Sequence, residues 1–197
     1  MTQTDLAEAL TALHRGAVII YPTDTLYALG ADIFNKTAIE TVFSLKHRPS
    51  LQPLPIAVDS LPTMEHLADM TPLAKNLATR FLPGPLTLIL KKKPTIPPII
   101  TSGHETIAIR IPRDPTALTL LHAAGPLTAT SANIHNEPTP ATIPEIRTHL
   151  GADHLFALDR GPRTQAASTI IDLTTTPPRI LRHGPIPDQE LQEVLHG

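Results

Sequence analysis

The sequence predicts one α/β domain in which helices flank a twisted, mixed β-sheet. Short apolar runs bounded by proline or glycine alternate with segments whose apolar residues recur every three or four positions, the patterns of strands and amphipathic helices. Some apolar runs follow one another with no helix between them, so antiparallel and parallel strand pairs are both expected. The 197 residues include no glycine-rich, serine-rich or charged linker, and we therefore expect a single domain over residues 1–197.

Seven segments are predicted to be helices, and most of them carry a recognisable start or stop. The first is amphipathic and ends before Gly16, a residue that favours the end of a helix. Residues 37–40 and 142–145 each read Thr-x-x-Glu, the pattern of a capping box, and Thr71 precedes a proline that suits the first helical position. Asp188 is predicted to cap the last helix. The predicted helices cover residues 5–15, 37–46, 61–68, 71–81, 114–122, 142–151 and a short segment from 188.

Eight apolar runs are predicted to be strands. The run at 17–21 breaks into the polar stretch 22–30, which we expect to be a loop at the end of a buried strand. The connection at 91–106 is long and contains prolines, and loops of this kind are often functional or mobile. The predicted strands cover residues 17–21, 54–58, 86–90, 107–111, 127–131, 155–158, 168–173 and 179–182.

The composition excludes several classes of protein. The formal net charge of -2 disfavours tight nonspecific binding to nucleic acids, since such binding depends on neutralising phosphates. The absence of cysteine excludes disulfides, thiolate metal sites and cysteine nucleophiles. No apolar run approaches the roughly 20 residues of a membrane span, and residues 1–13 lack the basic and apolar segments of a secretory signal. We therefore expect a cytoplasmic protein that does not enter a membrane.

Four cationic side chains stand at the edges of predicted elements, where they can converge on one cleft. They are Lys46, Arg48, Arg110 and Arg182. Four convergent cations match a triphosphate plus a carboxylate, although any one of them taken alone is more simply a surface charge. Because Lys46 and Arg48 follow a helix and lie outside the apolar runs, we expect the fold to tolerate the loss of either. The chain has neither of the usual glycine-rich phosphate cradles, so a bound nucleotide would depend on such cations.

Hydroxyl and amide side chains follow several of the predicted strands. Thr23, Asp24 and Thr25 can bind a small polar substrate, or they can close a turn through hydrogen bonds to their own backbone. The same two interpretations apply to residues 131–133, Ser-Ala-Asn. Residues 83–85, Pro-Gly-Pro, are assigned no chemistry because they suit a helix stop. The histidines show no metal-ligand spacing, so no metal ion is predicted to bind protein side chains.

Seven short motifs occur in the order and approximate spacing of one known family. Residues 22–30 resemble the Pro-Thr-Glu/Asp-Thr-x-Tyr-Gly-Leu-Gly opening of the YrdC/TsaC family, the threonylcarbamoyl-AMP synthases, and residues 46–49 match its Lys-x-Arg-Pro. The further matches are Pro-Gly-Pro-Leu-Thr at 83–87, Arg-Ile-Pro at 110–112, Ser-Ala-Asn at 131–133, Ser-Thr-Ile-Ile-Asp at 168–172 and Leu-Arg-His-Gly at 181–184. Each string is weak alone, but the ordered set covers residues 17–184 and makes the chain similar to the short, single-domain members of that family.

The resemblance implies a YrdC-like fold and a reaction in which L-threonine, bicarbonate or CO2, and ATP form threonylcarbamoyl-AMP and pyrophosphate. The product would serve the N6-threonylcarbamoyladenosine (t6A) modification at position 37 of tRNA, through a transferase complex that accepts it. The threonine amine captures the CO2 unit and the carbamate oxygen attacks the α-phosphorus of ATP, so no protein nucleophile is needed. Catalysis would come from alignment and charge stabilisation, with Mg²⁺ expected beside the ATP.

The resemblance also implies which residues do this. L-threonine would be bound by Thr25, Arg110 and Ser168, with Arg110 paired to its carboxylate. ATP would be bound by Lys46, Arg48, Thr106, Ser131, Asn133, Thr139 and Arg182. Lys46 and Arg48 would also stabilise the charge that develops in the reaction.

The sequence departs from the family pattern at several positions, which leaves the strictness of threonine specificity open. Ala28 replaces the usual glycine, as in the YciO branch, Ala57 replaces a histidine, and His135 with Asn136 replaces Ser-Gly. Two alternatives stay open: a noncatalytic RNA-binding protein of YrdC-like or YciO-like type, and an enzyme that forms carbamoyl-adenylate. The aromatic content of 3% and the low charge disfavour the first and allow at most a weak RNA contact.

Overall fold

Helices and strands interleave along the chain, and the computed structural model describes residues 1–196. Within this range the helices are α1 (Gln3–His14), α2 (Lys36–Leu45), α3 (Leu61–Leu67), α4 (Pro72–Phe81), α5 (Pro115–Ala124), α6 (Ile143–Leu150) and α7 (Asp188–His196). The strands are β1 (Ile19–Tyr21), β2 (Ala28–Gly30), β3 (Ile56–Ala57), β4 (Leu86–Lys91), β5 (Thr106–Arg110), β6 (Leu127–Thr128), β7 (Thr130–Ser131), β8 (Phe156–Ala157), β9 (Thr169–Asp172) and β10 (Arg179–Arg182). None of these helices combines the length and the apolar character that crossing a bilayer requires.

The strands form two sheets, and each sheet is mixed. The smaller sheet has the order β7-β2-β1-β8, and the larger has the order β10-β9-β4-β5-β3-β6. The pairs β1–β8, β3–β5 and β4–β9 are parallel, and the other pairs in both sheets are antiparallel. The predicted α/β class with mixed strand pairing is therefore confirmed.

The single strand predicted at 127–131 is in fact two strands that belong to different sheets. β6 pairs with β3 in the larger sheet, and β7 pairs with β2 in the smaller sheet. The hydroxyl of Thr128 donates to Leu29 O at 2.7 Å and accepts from Ala31 N at 2.9 Å, which ties the end of β6 to the smaller sheet. The chain passes from one sheet to the other at Ala129, and both sheets therefore border one common space.

The prediction of a loop over residues 22–30 is wrong for the last three residues, because Ala28–Gly30 forms strand β2. All three residues of β2 are buried, and the strand pairs with β1 as the second half of a hairpin. Gly30 is needed in this pairing, since a Cβ there would lie 2.9 Å from the ring of Tyr21. The polar residues 22–27 remain as the connection of the hairpin.

The helix starts agree with the sequence patterns in part. α2 is capped by Asn35, whose side chain accepts a backbone hydrogen bond at 3.0 Å, so Thr37 lies inside the helix and the capping box predicted there is wrong. Asn is at least as good a cap as Thr, which explains the earlier start. At the start of α6, Thr142 N donates to Glu145 Oε2 at 3.0 Å, as a capping box requires. Asp188 is the first residue of α7 rather than the cap before it.

Two hydrophobic clusters hold the layers together. The larger contains residues of α2, α3, α4, α6 and α7 together with residues of both sheets, among them Leu88, Ile109 and Ile171, which project from one face of β4, β5 and β9. The smaller joins α1 and α5 to β1 through residues such as Leu13 and Ile19. Successive residues of a strand point to opposite faces, so the neighbours of these three strand residues point away from the larger cluster. That second face of the sheet forms the candidate site.

Candidate active site

A cavity of ≈ 370 Å³ lies on the second face of the larger sheet. Strands β4, β5 and β9 supply its floor through alternate residues, while the hairpin connection 22–27, β7 and β10 supply its walls. Its volume is at the small end of the range for sites that hold a compact ligand. The polar side chains that line it are Thr23, Thr25, Tyr27, Arg48, Thr87, Arg110, Thr130, Ser131, Ser168 and Arg182.

The fold brings most of the predicted site residues together here. Those that line the cavity are Thr25, Arg48, Arg110, Ser131, Ser168 and Arg182. Lys46 and Asn133 lie behind Ser131, to which both are hydrogen-bonded. Thr106 and Thr139 stay outside the lining: Thr106 is at the outer end of β5, and Thr139 is half-buried in the loop between β7 and α6.

Arg110 is the most deeply buried of the cavity arginines, with a side chain 6% exposed. Its Nη2 donates to Asp24 Oδ1 at 2.6 Å and to Gly84 O at 3.2 Å, and its Nη1 donates to Thr25 Oγ1 at 3.0 Å. Nε has no partner within the described part of the chain. The predicted cation for a substrate carboxylate is thus already paired with Asp24, and its free donors are the Nε–H and one hydrogen of Nη1.

The hydroxyls of Thr23 and Thr25 lie close together in the hairpin connection. Thr23 Oγ1 lies 2.6 Å from Leu26 O, to which it must donate, and 3.0 Å from Thr25 Oγ1. Thr23 Oγ1 also accepts from Thr25 N at 3.1 Å and from Leu26 N at 3.2 Å, which occupy its two lone pairs. The Thr25 hydroxyl accepts from Arg110 Nη1 and keeps its proton and its second lone pair for a ligand. It can therefore donate to or accept from a polar group of the substrate.

Ser168 lies in the cavity wall opposite Thr25, where Arg182 and Thr87 contact it from two sides. Arg182 Nε donates to Ser168 O at 2.8 Å, and Nη2 donates to Ser168 Oγ at 3.1 Å. Thr87 Oγ1 lies 2.8 Å from the same hydroxyl. These contacts hold Ser168, which is 4% exposed, in one orientation at the cavity wall.

The backbone behind Ser168 is held by close packing against Gly184. A Cβ at position 184 would lie 2.3 Å from Thr169 N and 2.6 Å from Ala167 O, and backbone atoms cannot move aside cheaply. We expect Gly184→Ala to lower the free energy of unfolding by about 3 kcal/mol, the upper end for overpacking. Denaturant titration measures it, with Gly103→Ala as the control: φ there is +82° but the space is open, so a loss of only about 1 kcal/mol is expected. Equal losses would mean that the close approach at Gly184 relaxes without strain.

Lys46 does not behave as the sequence led us to expect. It caps the C-terminus of α2, but its side chain folds inward, and the residue is 2% exposed. Nζ donates to Ser131 O at 2.6 Å, to Asn133 O at 2.7 Å and to Asn133 Oδ1 at 3.0 Å. All three ammonium protons are thereby used inside the protein. The expectation that the fold tolerates the loss of Lys46 is wrong, because its partners lie in a loop that closes over it.

Asn133 completes this support of the cavity wall. Its Oδ1 accepts from Lys46 and from Ser131 Oγ, and its Nδ2 donates to the carbonyls of Ile134 and Glu137. Every hydrogen-bonding direction of the side-chain amide is thus used within the protein. Lys46 and Asn133 act on the cavity by fixing Ser131.

Of the two cations in the Lys-x-Arg sequence, Arg48 is the one that lines the cavity. Its Nε donates to Gln52 O at 3.2 Å and its Nη2 donates to Pro53 O at 2.9 Å. Its Nη1 lies 3.2 Å from Nδ1 of His135. Burial lowers the pKa of Arg48, yet the group remains a cation at any physiological pH.

Sequence reasoning missed several residues that shape the site. The ion pair of Asp24 with Arg110 had no local signal, because the two residues are 86 positions apart in the sequence. Thr87 carried no separate signal, because a threonine in a strand is common. Ala57 lies in the smaller hydrophobic cluster and outside the lining, whereas Ala28 does line the cavity. Gly84, to which no chemistry was assigned, supplies a carbonyl to Arg110.

The fold and the cavity together define an α/β protein with a cationic, hydroxyl-lined site on one face of a mixed sheet. The family model named for Sua5, YciO and YrdC, and described by the words "Telomere recombination", matches residues 11–184. The chain therefore belongs to the Sua5–YciO–YrdC family, and the resemblance drawn from its motifs is confirmed.

Individual members of this family are similar to the chain over most of its length. A Mycobacterium tuberculosis protein, provisionally named threonylcarbamoyl-AMP synthase, is 37% identical over 192 residues, which are 96% of this chain and 88% of the relative. The threonylcarbamoyl-AMP synthase of Pyrococcus abyssi is 38% identical over 186 residues, 93% of this chain and 55% of that protein. The crystal structure of P. abyssi Sua5 complexed with L-threonine matches with a TM-score of 0.92 at 36% identity, over 100% of this chain and 58% of that one. The chain spans little more than half the length of the Pyrococcus protein.

Proposed function

We propose that this protein is a threonylcarbamoyl-AMP synthase, which joins L-threonine, bicarbonate or CO2 and ATP into threonylcarbamoyl-AMP with release of pyrophosphate. The observation that carries the proposal is the meeting of Arg48, Arg110 and Arg182 at one cavity that is otherwise lined by hydroxyls and apolar groups. Three guanidinium groups against the single carboxylate of Asp24 leave an excess of positive charge, which suits a triphosphate and an amino-acid carboxylate. Relatives with this name, and one solved with L-threonine, support the same assignment.

The threonine end of the cavity would be formed by Arg110, Thr25 and Ser168. The free donors of Arg110 would bind the carboxylate, which would then share the guanidinium with Asp24. Thr25 offers a lone pair and Ser168 a hydroxyl, so the amine and the side-chain hydroxyl of threonine find partners on opposite walls. This arrangement selects a hydroxylated amino acid, because an analogue without the hydroxyl leaves a buried group unpaired.

The nucleotide end would be formed by Arg48, Arg182 and Ser131, with Thr106 and Thr139 as outlying contacts that an ordered nucleotide would reach. Lys46 and Asn133 belong to this end through Ser131, which they fix. The carbamate oxygen attacks the α-phosphorus, the bond to the β-phosphate oxygen breaks, and pyrophosphate leaves. Fixed cations that face the phosphates would stabilise the charge on the leaving group. Catalysis would come from this stabilisation together with the alignment of the two substrates.

Mg²⁺ would enter as part of the substrate, bound to the phosphates of ATP. Among the side chains of residues 1–195, which the structure describes, no three His, Asp or Glu groups lie close enough together to hold a metal ion. The product is a reactive mixed anhydride, so it would pass directly to a transferase complex that modifies tRNA. We place this activity in the cytoplasm, where ATP, bicarbonate and tRNA are available together.

Release of pyrophosphate that requires ATP, bicarbonate and threonine together tests the proposal, with mass-spectrometric detection of threonylcarbamoyl-AMP. Arg182→Ala should lower kcat/KM roughly 10- to 100-fold, the effect of one lost charge-assisted contact. Arg179→Ala is the matched control, since Arg179 is an exposed arginine of the same strand that does not line the cavity. Pyrophosphate release driven by carbamoyl phosphate and independent of threonine would favour the carbamoyl-adenylate alternative instead.

A further inference from the structure

His135 lies in the loop after β7 and holds the turn that carries Arg48 through two contacts. Its backbone N donates to Lys46 O at 2.8 Å, and its ring Nδ1 lies 3.2 Å from Arg48 Nη1. The ring is half-buried, and it stands behind an arginine that lines the cavity. The ring of His135 does not line the cavity, and it contacts the side chain of Arg48, which does.

The direction of the ring contact is fixed by chemistry. A guanidinium group has donors and no acceptor, so Arg48 must donate and Nδ1 of His135 must accept. The proton of the ring then lies on Nε2, and the ring is neutral. Protonation would place an N–H against the Arg48 cation, turning an attraction into a repulsion.

The other two contacts of Arg48 cannot titrate. They are made to the backbone carbonyls of Gln52 and Pro53, which accept at every pH. The imidazole of His135 is thus the one titratable group among the three acceptors that orient the Arg48 guanidinium.

We propose that His135 is a positioning residue that holds Arg48 toward the cavity when neutral and releases it when protonated, so that nucleotide binding weakens below neutral pH. The inference rests on the proposed function, because it takes the phosphates of ATP as the group that Arg48 meets.

The charged groups around the ring favour its neutral form. Arg48 and Lys46 face it, and both cations add to burial, the larger cause, in lowering the pKa of His135. Glu137, in the same loop, faces the other histidine: its carboxylate lies 3.6 Å from His149 Nε2. The bond to Arg48 is therefore present at neutral pH, and it is lost as the pH falls below the ordinary histidine value of about 6.5.

Calorimetric titration of ATP across about pH 5.5 to 7.5 tests this in the wild type, His135→Asn and His135→Leu. Asn presents an amide oxygen near the position of Nδ1 and does not titrate, so its affinity should match the wild type at the upper pH and exceed it roughly fivefold to tenfold at the lower one. Leu offers neither an acceptor nor a charge, so His135→Leu should bind ATP more weakly than the wild type at the upper pH and should not show the wild type's further loss at the lower one. ATP and Lys46 also titrate in this range, but they do so in every variant and cancel in the ratio. His122→Asn is the control, since that ring is exposed and pairs with Asp59.

The outcomes separate the inference from the function on which it rests. ATP binding with parallel pH profiles for the wild type and His135→Asn would overturn the inference alone, as would undiminished affinity in His135→Leu. Absence of ATP binding to the wild type at every pH would overturn the proposed function and the inference with it. A flattened profile in His135→Asn, with the wild-type profile retained in His122→Asn, is the result we expect.

Discussion

Replacing Arg110 with alanine is expected to lower the free energy of unfolding by about 3–5 kcal/mol, because it leaves the carboxylate of Asp24 buried without a cation. The Asp24 side chain is 12% exposed and lies 2.6 Å from Arg110 Nη2. Its Oδ1 also accepts from Arg113 N at 3.0 Å, while its Oδ2 has no partner within the described residues. These contacts are too few to keep an unpaired carboxylate stable in the interior. Denaturant unfolding of the two proteins measures the loss.

A double-mutant comparison distinguishes an unpaired charge from lost packing. Arg110→Met keeps much of the side-chain volume and leaves Asp24 charged, whereas Arg110→Met combined with Asp24→Asn removes both charges. We expect the double variant to be more stable than Arg110→Met alone, by at least about 1 kcal/mol. If the two substitutions instead add their losses, the ion pair contributes no coupling and the stability prediction is wrong.

Arg110→Lys separates the binding role of Arg110 from its structural one. Lysine keeps a positive charge near Asp24, but it cannot contact Asp24, Thr25 and Gly84 as Arg110 does and still offer two further N–H donors to a carboxylate. The threonine concentration needed for half-maximal pyrophosphate release should rise far more than the ATP concentration. Equal increases for both substrates would contradict the assignment of the threonine carboxylate to Arg110.

Much of the fold and of the cavity lining could be predicted from the sequence. Apolar runs between prolines located most of the strands, since burial on both faces leaves an uninterrupted apolar run. The ordered motifs then located Thr25, Arg110 and Ser168, which the fold brings to one cavity. Strand β2 was missed because Ala28–Gly30 is too short to show an alternating pattern and directly follows a polar turn.

What the sequence could not show was which polar groups already satisfy one another. Asp24 and Arg110 are 86 positions apart, and Lys46 is 85 positions from Ser131, so no local pattern joins the partners. Side-chain charge alone suggests a ligand for each cation. Lys46 lies in the protein interior and supports the cavity wall, so Arg48 and Arg182 are the cations that remain for the proposed phosphates.

Lys46→Met is therefore expected to destabilise the protein and to remove most of its activity together. Methionine keeps the length of the side chain, but Ser131 O, Asn133 O and Asn133 Oδ1 lose a donor in a buried setting. We expect a loss of about 3 kcal/mol in the free energy of unfolding. Pyrophosphate release at saturating ATP should fall at least roughly 100-fold, because Ser131 is no longer fixed. Lys36→Met is the control, since the Lys36 side chain is 77% exposed on the same helix and should change neither quantity.

The pH dependence of the free energy of unfolding provides a second test of the role of Lys46. Burial and the nearby Arg48 lower the pKa of Lys46 from 10.5 to about 7, against the opposing effect of its three oxygen acceptors. Between these two values the unfolded chain binds more protons than the folded protein, so the free energy of unfolding gains a contribution that rises with pH. Lys46→Met lacks this contribution, and its deficit relative to the wild type should grow as the pH is raised from about 7 toward about 10. A deficit that stays constant over this range would show that the three acceptors hold Lys46 fully protonated. Its charge would then be a permanent part of the cavity wall.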